Sequence, residues 1–378
     1  MIGRIALVLA TSIILAGCAG RHVRPDLNYA TAPVETNAKP ELRTMRVAFD
    51  QEGAIYPKDE QVVPWHSVRM KWLSEATGQN SFKLAEIEAS GSKPYPPLRS
   101  ELEAAAAREL NGLLKSGDTL VVLVHGFNED YDDAQKDYAV FRRSIDAANA
   151  VILEVYWDGI KIPFGWLGEF SRATFWPDAV LYSNLAGELG LRPILNKIDR
   201  PVDLRILTFS RGAAVAMSTV ARPSYDNDYD DLTLGAPRFS NENIRSVKIG
   251  AIAAAIGAGH IRPKANEALR GHKVDLVIGA NPNDLATGKL GLPEAYGDTR
   301  ASSDFDFLSD VFKQDWPNLR VSAVVFKHGS AHNVPKYAEQ AKNVPTDSMA
   351  CLLYLLDLRA AACAQTVDVL GRPTKPRE

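Results

Sequence analysis

The chain has 378 residues, 46% of them hydrophobic and 24% charged, the balance of a globular protein able to bury a large core. A formal net charge of −3 gives no reason to expect nucleic acid as a partner. Seven histidines and three cysteines lie scattered, without the paired spacing of a metal site, so no metal or other cofactor is expected.

The first segment, MIGRIALVLATSIILAGCAG, has one cation, Arg4, and then an apolar run from Ile5 to Leu15. That run is short for a membrane span and ends in small residues, as a secretory signal does. Leu15-Ala16-Gly17-Cys18 resembles the lipobox of bacterial lipoproteins. The resemblance implies a signal peptide over 1–17, cleavage before Cys18, and a lipid on that thiol tethering the protein to a membrane face. Ala19 is not the aspartate that retains lipoproteins at the inner membrane, so in a Gram-negative host the outer membrane is favoured. A plain signal peptide with a chance cysteine is the alternative. Residues 18–44 are polar and proline-punctuated and read as a flexible tether.

From Met45 short strand-like pieces appear (MRVAFD, SFKLAEI), and a strong helix runs from Leu98 until Gly117 stops it. A rhythm follows. TLVVLVHG is a buried strand, DDAQKDYAVFRRSIDAA an amphipathic helix and AVILEVYW the next strand. An aromatic insertion, about 156–177, and a second helix lead to DLRILTF and the helix RGAAVAMSTVA. DLTLG, VKIGAIAAAI, KVDLVIGA and RVSAVVF are further strand candidates. TDSMACLLYLLDLRAA closes the series as a helix that Thr346 caps. Continuous apolar strands alternating with helices specify an α/β fold with a mostly parallel, doubly wound sheet. One domain is expected over 45–366, with a loose tail over 367–378.

In such a sheet, ligands sit beyond the carboxyl ends of the strands. Those ends carry His125-Gly126-Phe127, Ser210-Arg211-Gly212, Asp284, and His328 and His332. The order Ser…Asp…His, with a His-Gly turn upstream, resembles the α/β-hydrolase family, whose motif G-x-S-x-G joins strand to helix. The resemblance covers roughly Leu98 to Tyr337. Thr208 stands where the motif has its first glycine, and a serine capping a helix is the plainer reading of Ser210.

By that resemblance Ser210 is the nucleophile, His332 the base and Asp284 the acid, and the backbone N–H groups of Phe127 and Arg211 receive the oxyanion. His125 is structural, its ring bonding to the loop backbone. His328 is the alternative base. Asp275 starts its strand at the wrong end of the sheet, Asn283 and Asp298 are weaker alternatives to Asp284, and Asp284 would otherwise cap a turn. The Arg211 side chain faces solvent, pairs within the domain or recognises an anion. The rings of Trp157, Phe164, Trp166, Phe170, Phe175 and Trp176 either roof an acyl pocket or pack the insertion on the core.

These assignments imply a serine hydrolase of carboxylic esters with a small-molecule or lipid ester as its substrate partner. A peptidase, thioesterase or acyltransferase on the same triad, and a non-catalytic lipoprotein on a hydrolase scaffold, are the alternatives. Cys351 and Cys363 would lie roughly 18 Å apart on one straight helix, too far to bridge. A helix ending near Arg359 would let the tail fold back and bring them together.

Overall fold

Among the described residues, six largely apolar strands have a neighbour on both sides and form the interior of one sheet. The computed structural model describes residues 42–55, 95–129, 131–157, 159, 176–223, 227–261, 269, 272–288, 299–314, 318–327, 329, 331–339 and 344–371. The strands are β1 (Arg43–Phe49), β2 (Thr119–Val124), β3 (Ala150–Trp157), β4 (Val202–Phe209), β5 (Ile244–Ile252), β6 (Val274–Ala280), β7 (Leu319–Val325) and β8 (Val369–Gly371). They form one eight-stranded sheet in the order β1-β3-β2-β4-β5-β6-β7-β8. Neighbouring strands run parallel except β8, which is antiparallel to β7.

Alternate side chains of each strand face opposite layers. On one face Leu120, Val122, Leu204 and Ile206 pack with Ala106 and Leu110 of α1 (Tyr95–Leu113) and with Ala213 and Met217 of α3 (Gly212–Val220). On the other, Val121, Leu123 and Leu207 meet Tyr138 and Phe141 of α2 (Tyr131–Ser144) and Leu352 and Leu355 of α6 (Asp347–Leu355). Helices on both faces of a mostly parallel sheet are the α/β architecture expected. Two further helices matter below, α4 (Phe305–Lys313) and α5 (Val334–Ala338). Residues 176–185 are helical and run through a π-turn, Ala186–Leu191, into Arg192–Leu195.

The chain leaves β2 toward β3 on one side and leaves β4 toward β5 on the other. That reversal opens a crevice beyond the carboxyl ends of β2 and β4, the place where ligands bind in sheets of this kind. Both the His125-Gly126 turn and Ser210 lie there.

Three expectations change. DLTLG is not a strand: Asn227–Leu232 is helical, and a turn follows that needs Gly235 at φ +83°. Its two leucines, Leu232 and Leu234, are exposed, so the apolar alternation had no core to serve. The tail is not loose from 367, because Val369–Gly371 pairs with Ser322–Val324 as β8. The last helix stops at Leu355, where Asp357 takes φ +58°, and the returning chain brings Cys363 within 4.3 Å Cα–Cα of Cys351 in a disulfide. The expected strand SFKLAEI lies outside the described residues.

Candidate active site

Ser210 is the residue on which β4 turns into α3, and it does so with φ +51°. A non-glycine residue in the left-handed region costs on the order of 1–2 kcal/mol, so its surroundings must hold it there. They do so through the backbone: Ser210 N–H donates to Ile252 O at 2.9 Å, and Ser210 O accepts from Ala255 N at 3.1 Å and Ala213 N at 3.2 Å. Gly212 is the second requirement. A Cβ there would sit 2.5 Å from His125 O and 2.7 Å from Val124 O, so only glycine lets α3 start against the end of β2. Thr208, which stands in for the motif's first glycine, fits: it is fully buried beside Ala251 in register, and its hydroxyl donates to Gly250 O at 3.5 Å.

The first residue of the turn, Arg211, caps α3 without a side-chain hydrogen bond, and the Ser210 hydroxyl is directed elsewhere. Its Oγ lies 2.9 Å from His332 Nε2, and His332 Nδ1 lies 2.7 Å from Asp284 Oδ2. An ionised carboxylate only accepts, so Nδ1 carries the ring proton and Nε2 is left with the lone pair that faces Ser210. The Phe209 ring packs against the imidazole, centroids 4.8 Å apart. His332 comes from the loop after β7, directly before Asn333, whose side chain caps α5 by accepting from Lys336 N.

Asp284 follows β6 and performs two tasks with its two oxygens. Oδ1 accepts from Ala286 N at 2.9 Å and Thr287 N at 3.3 Å, capping the short helix Leu285–Gly288, while Oδ2 takes His332. One side chain thus both caps that short helix and bonds the imidazole. Burial alone would raise its pKa. The hydrogen bond and charge of His332, with donors from Tyr337 and Thr287, outweigh burial and hold the carboxyl below its ordinary range.

Tyr337 was not foreseen. Its hydroxyl donates to Asp284 Oδ2, the same oxygen that His332 bonds, and accepts from Asn281 Nδ2 at 3.3 Å. Burial first, then the Asp284 charge, push the phenol well above its ordinary range, so it stays a donor. The available signal was spacing: Tyr337 sits one helical turn beyond the residue following His332, and α5 turns it back toward β6.

Gly126 packs directly on the serine, since a Cβ there would be 3.0 Å from Ser210 Cβ, and Phe127 follows it. His125 holds that loop. Its Nδ1 donates to Gly126 O at 2.9 Å, its Nε2 accepts Trp157 N–H at 3.0 Å, and Trp157 Nε1 donates to His125 O at 3.0 Å. The ring is thus committed to backbone. Gly126 N–H in turn donates to Glu129 Oε2 at 3.3 Å. The Arg211 side chain is fully buried and points away from solvent, donating to Ser183 Oγ at 2.9 Å, Ala255 O at 2.8 Å and Val180 O at 3.3 Å.

Asp275 pairs with Arg320 at 2.8 Å near the start of β6, far from the crevice, and Asn283 donates its N–H to Asn281 Oδ1. His328, Asp298, Cys18, Phe164, Trp166, Phe170 and Phe175 lie outside the described residues. Among the described residues no group of His, Cys, Asp and Glu is arranged to hold a metal ion.

No family model matches the chain, and no curated protein is significantly similar to it. A partly similar solved structure is the crystal structure of esterase PE8, at 16% sequence identity and a TM-score of 0.30, covering 57% of this chain and 86% of that one. A likeness that slight bears on neither chemistry nor substrate.

Proposed function

We propose that this chain is a serine hydrolase of the α/β-hydrolase type that cleaves carboxylic esters through an acyl-enzyme intermediate. The observation that carries the reading is the unbroken hydrogen-bonded series Ser210 Oγ, His332, Asp284, with the serine held at φ +51° above a switch point of the sheet. In this reading His332 Nε2 takes the Ser210 proton as Oγ bonds to the ester carbonyl carbon. The oxyanion that forms is received by the N–H groups of Phe127 and Arg211, each worth on the order of 3 kcal/mol in comparable sites. Collapse breaks the carbon–oxygen bond to the alcohol, which leaves with the proton from His332, and water repeats the cycle to free the acid. Asp284, kept ionised, holds the imidazole tautomer and stabilises its cation.

Labelling by a fluorophosphonate probe tests the chemistry. Wild-type protein should label and Ser210→Ala should not, and p-nitrophenyl esters should turn over only with the former. Failure of any acyl substrate to react would leave a scaffold rather than an enzyme.

The same reading includes export and a lipid on Cys18. The Cys351–Cys363 disulfide supports an oxidising compartment, since such bonds are rare in the cytosol. Cys18→Ser should abolish metabolic labelling with a fatty acid and release the protein from membranes; unchanged labelling would refute the anchor.

A further inference from the structure

The two residues whose amides flank Ser210 are far apart in sequence, and one side chain touches both. Trp176 lies in the helical stretch 176–185 beyond β3 and is buried. The Phe127 ring meets it edge to face, centroids 5.5 Å apart. The Arg211 guanidinium lies over the indole, 5.6 Å from its centroid. Val180 and Ala255 complete the cluster in which Phe127 packs on Trp176. Arg211 also ties itself to that helix through Ser183 Oγ and Val180 O, and to the loop after β5 through Ala255 O. Ala255 N in turn donates to Ser210 O.

We infer that Trp176 is a positioning residue for the oxyanion hole, a brace that sets the spacing between the Phe127 and Arg211 amides. The inference rests on the serine-hydrolase reading. Its physical basis is that an oxyanion site works only if its donors are fixed before the charge appears, about 2.7–3.1 Å from where the oxygen will be. Phe127 follows a glycine, and Arg211 is the N-cap residue of α3, so the two amides come from separate elements. A single rigid indole in contact with both side chains removes their independent motion.

The test uses purified full-length protein with p-nitrophenyl acetate, whose acyl group is too small to need an aromatic wall. Trp176→Leu should lower kcat about tenfold with KM within about twofold, and weaken a boronic acid, which mimics the oxyanion, by the same factor. The pH profile should stay in place, because the Ser210–His332–Asp284 series is not touched. Trp176→Phe, which keeps an aromatic face, should lose about threefold, and it decides the matter if the Leu variant does not fold. Wild-type kcat and boronate affinity in both variants would overturn the brace, as would a rise in KM with boronate binding unchanged, which would make Trp176 a substrate wall. A wild-type protein inert to fluorophosphonate would instead strike down the hydrolase reading, and the brace with it.

Discussion

At the scale of single residues, Asp284 couples the stability of the folded chain to pH. Asp284 has a depressed pKa in the folded chain, so its ionised form contributes stability above the ordinary value of 3.8 and loses it as pH falls through the lower folded value. Tyr337 contributes part of that depression through a buried hydrogen bond. Tyr337→Phe should therefore move the acid-unfolding midpoint, followed by circular dichroism, to higher pH. It should also lower kcat at pH 8 about threefold to tenfold, through a less firmly held carboxylate. An unmoved midpoint would mean that His332 and the backbone cap suffice. Asp284→Asn is harsher, because an amide favours the wrong imidazole tautomer; kcat should fall by about 10⁴-fold with the fold retained. That Ser210, Asp284 and His332 would converge was legible in the sequence, because each follows an apolar strand and the switch-point rule says that such ends meet. Tyr337 was not. A tyrosine on a short amphipathic helix is spelled like a core residue, and only the turn of α5 shows that its hydroxyl meets a carboxylate from another strand.

At the scale of elements, the β4–α3 turn depends on a close backbone approach. Gly212→Ala places a methyl group 2.5 Å from the His125 carbonyl oxygen, a contact that only backbone movement relieves. We expect a loss of about 2–3 kcal/mol in urea unfolding and a slower fluorophosphonate reaction, because relief displaces either Ser210 or the loop beside it. Ordinary stability would mean that α3 can tilt freely. The other end of α3 is fastened by Arg192, which donates to Thr219 O at 2.8 Å and Ala221 O at 2.5 Å, supplying a cation where the helix carbonyls lack partners. Strands such as AVILEVYW were legible to the residue, since every residue but Glu154 is apolar or aromatic and all eight are buried. DLTLG failed because four alternating residues match a strand and a polar helix end equally well, and its leucines find no layer to enter.

At the scale of the whole molecule, two hydrophobic layers enclose the sheet, and the C-terminal segment is sewn onto one of them. The Cys351–Cys363 bond closes a loop of sequence separation 12 between α6 and the returning chain. Replacing both cysteines by alanine should lower stability by about 2–3 kcal/mol, read as a denaturant midpoint. The fluorophosphonate rate should not change, because the bond joins α6 to the returning chain and not to the loops that carry Ser210, Asp284 and His332. A slowed reaction would show that α6 helps shape the site. Pairing of the two cysteines stayed open in the sequence because it turns on where α6 stops, and helix ends are the least legible feature of a helix.

β8 lies along the outer side of β7, the strand that delivers His332. Without it, β7 would present a bare row of amides and carbonyls, a template on which another chain can build. A chain cut after Gln365 would therefore keep Ser210, His332 and Asp284 yet become sticky: light scattering is where the damage would first be seen.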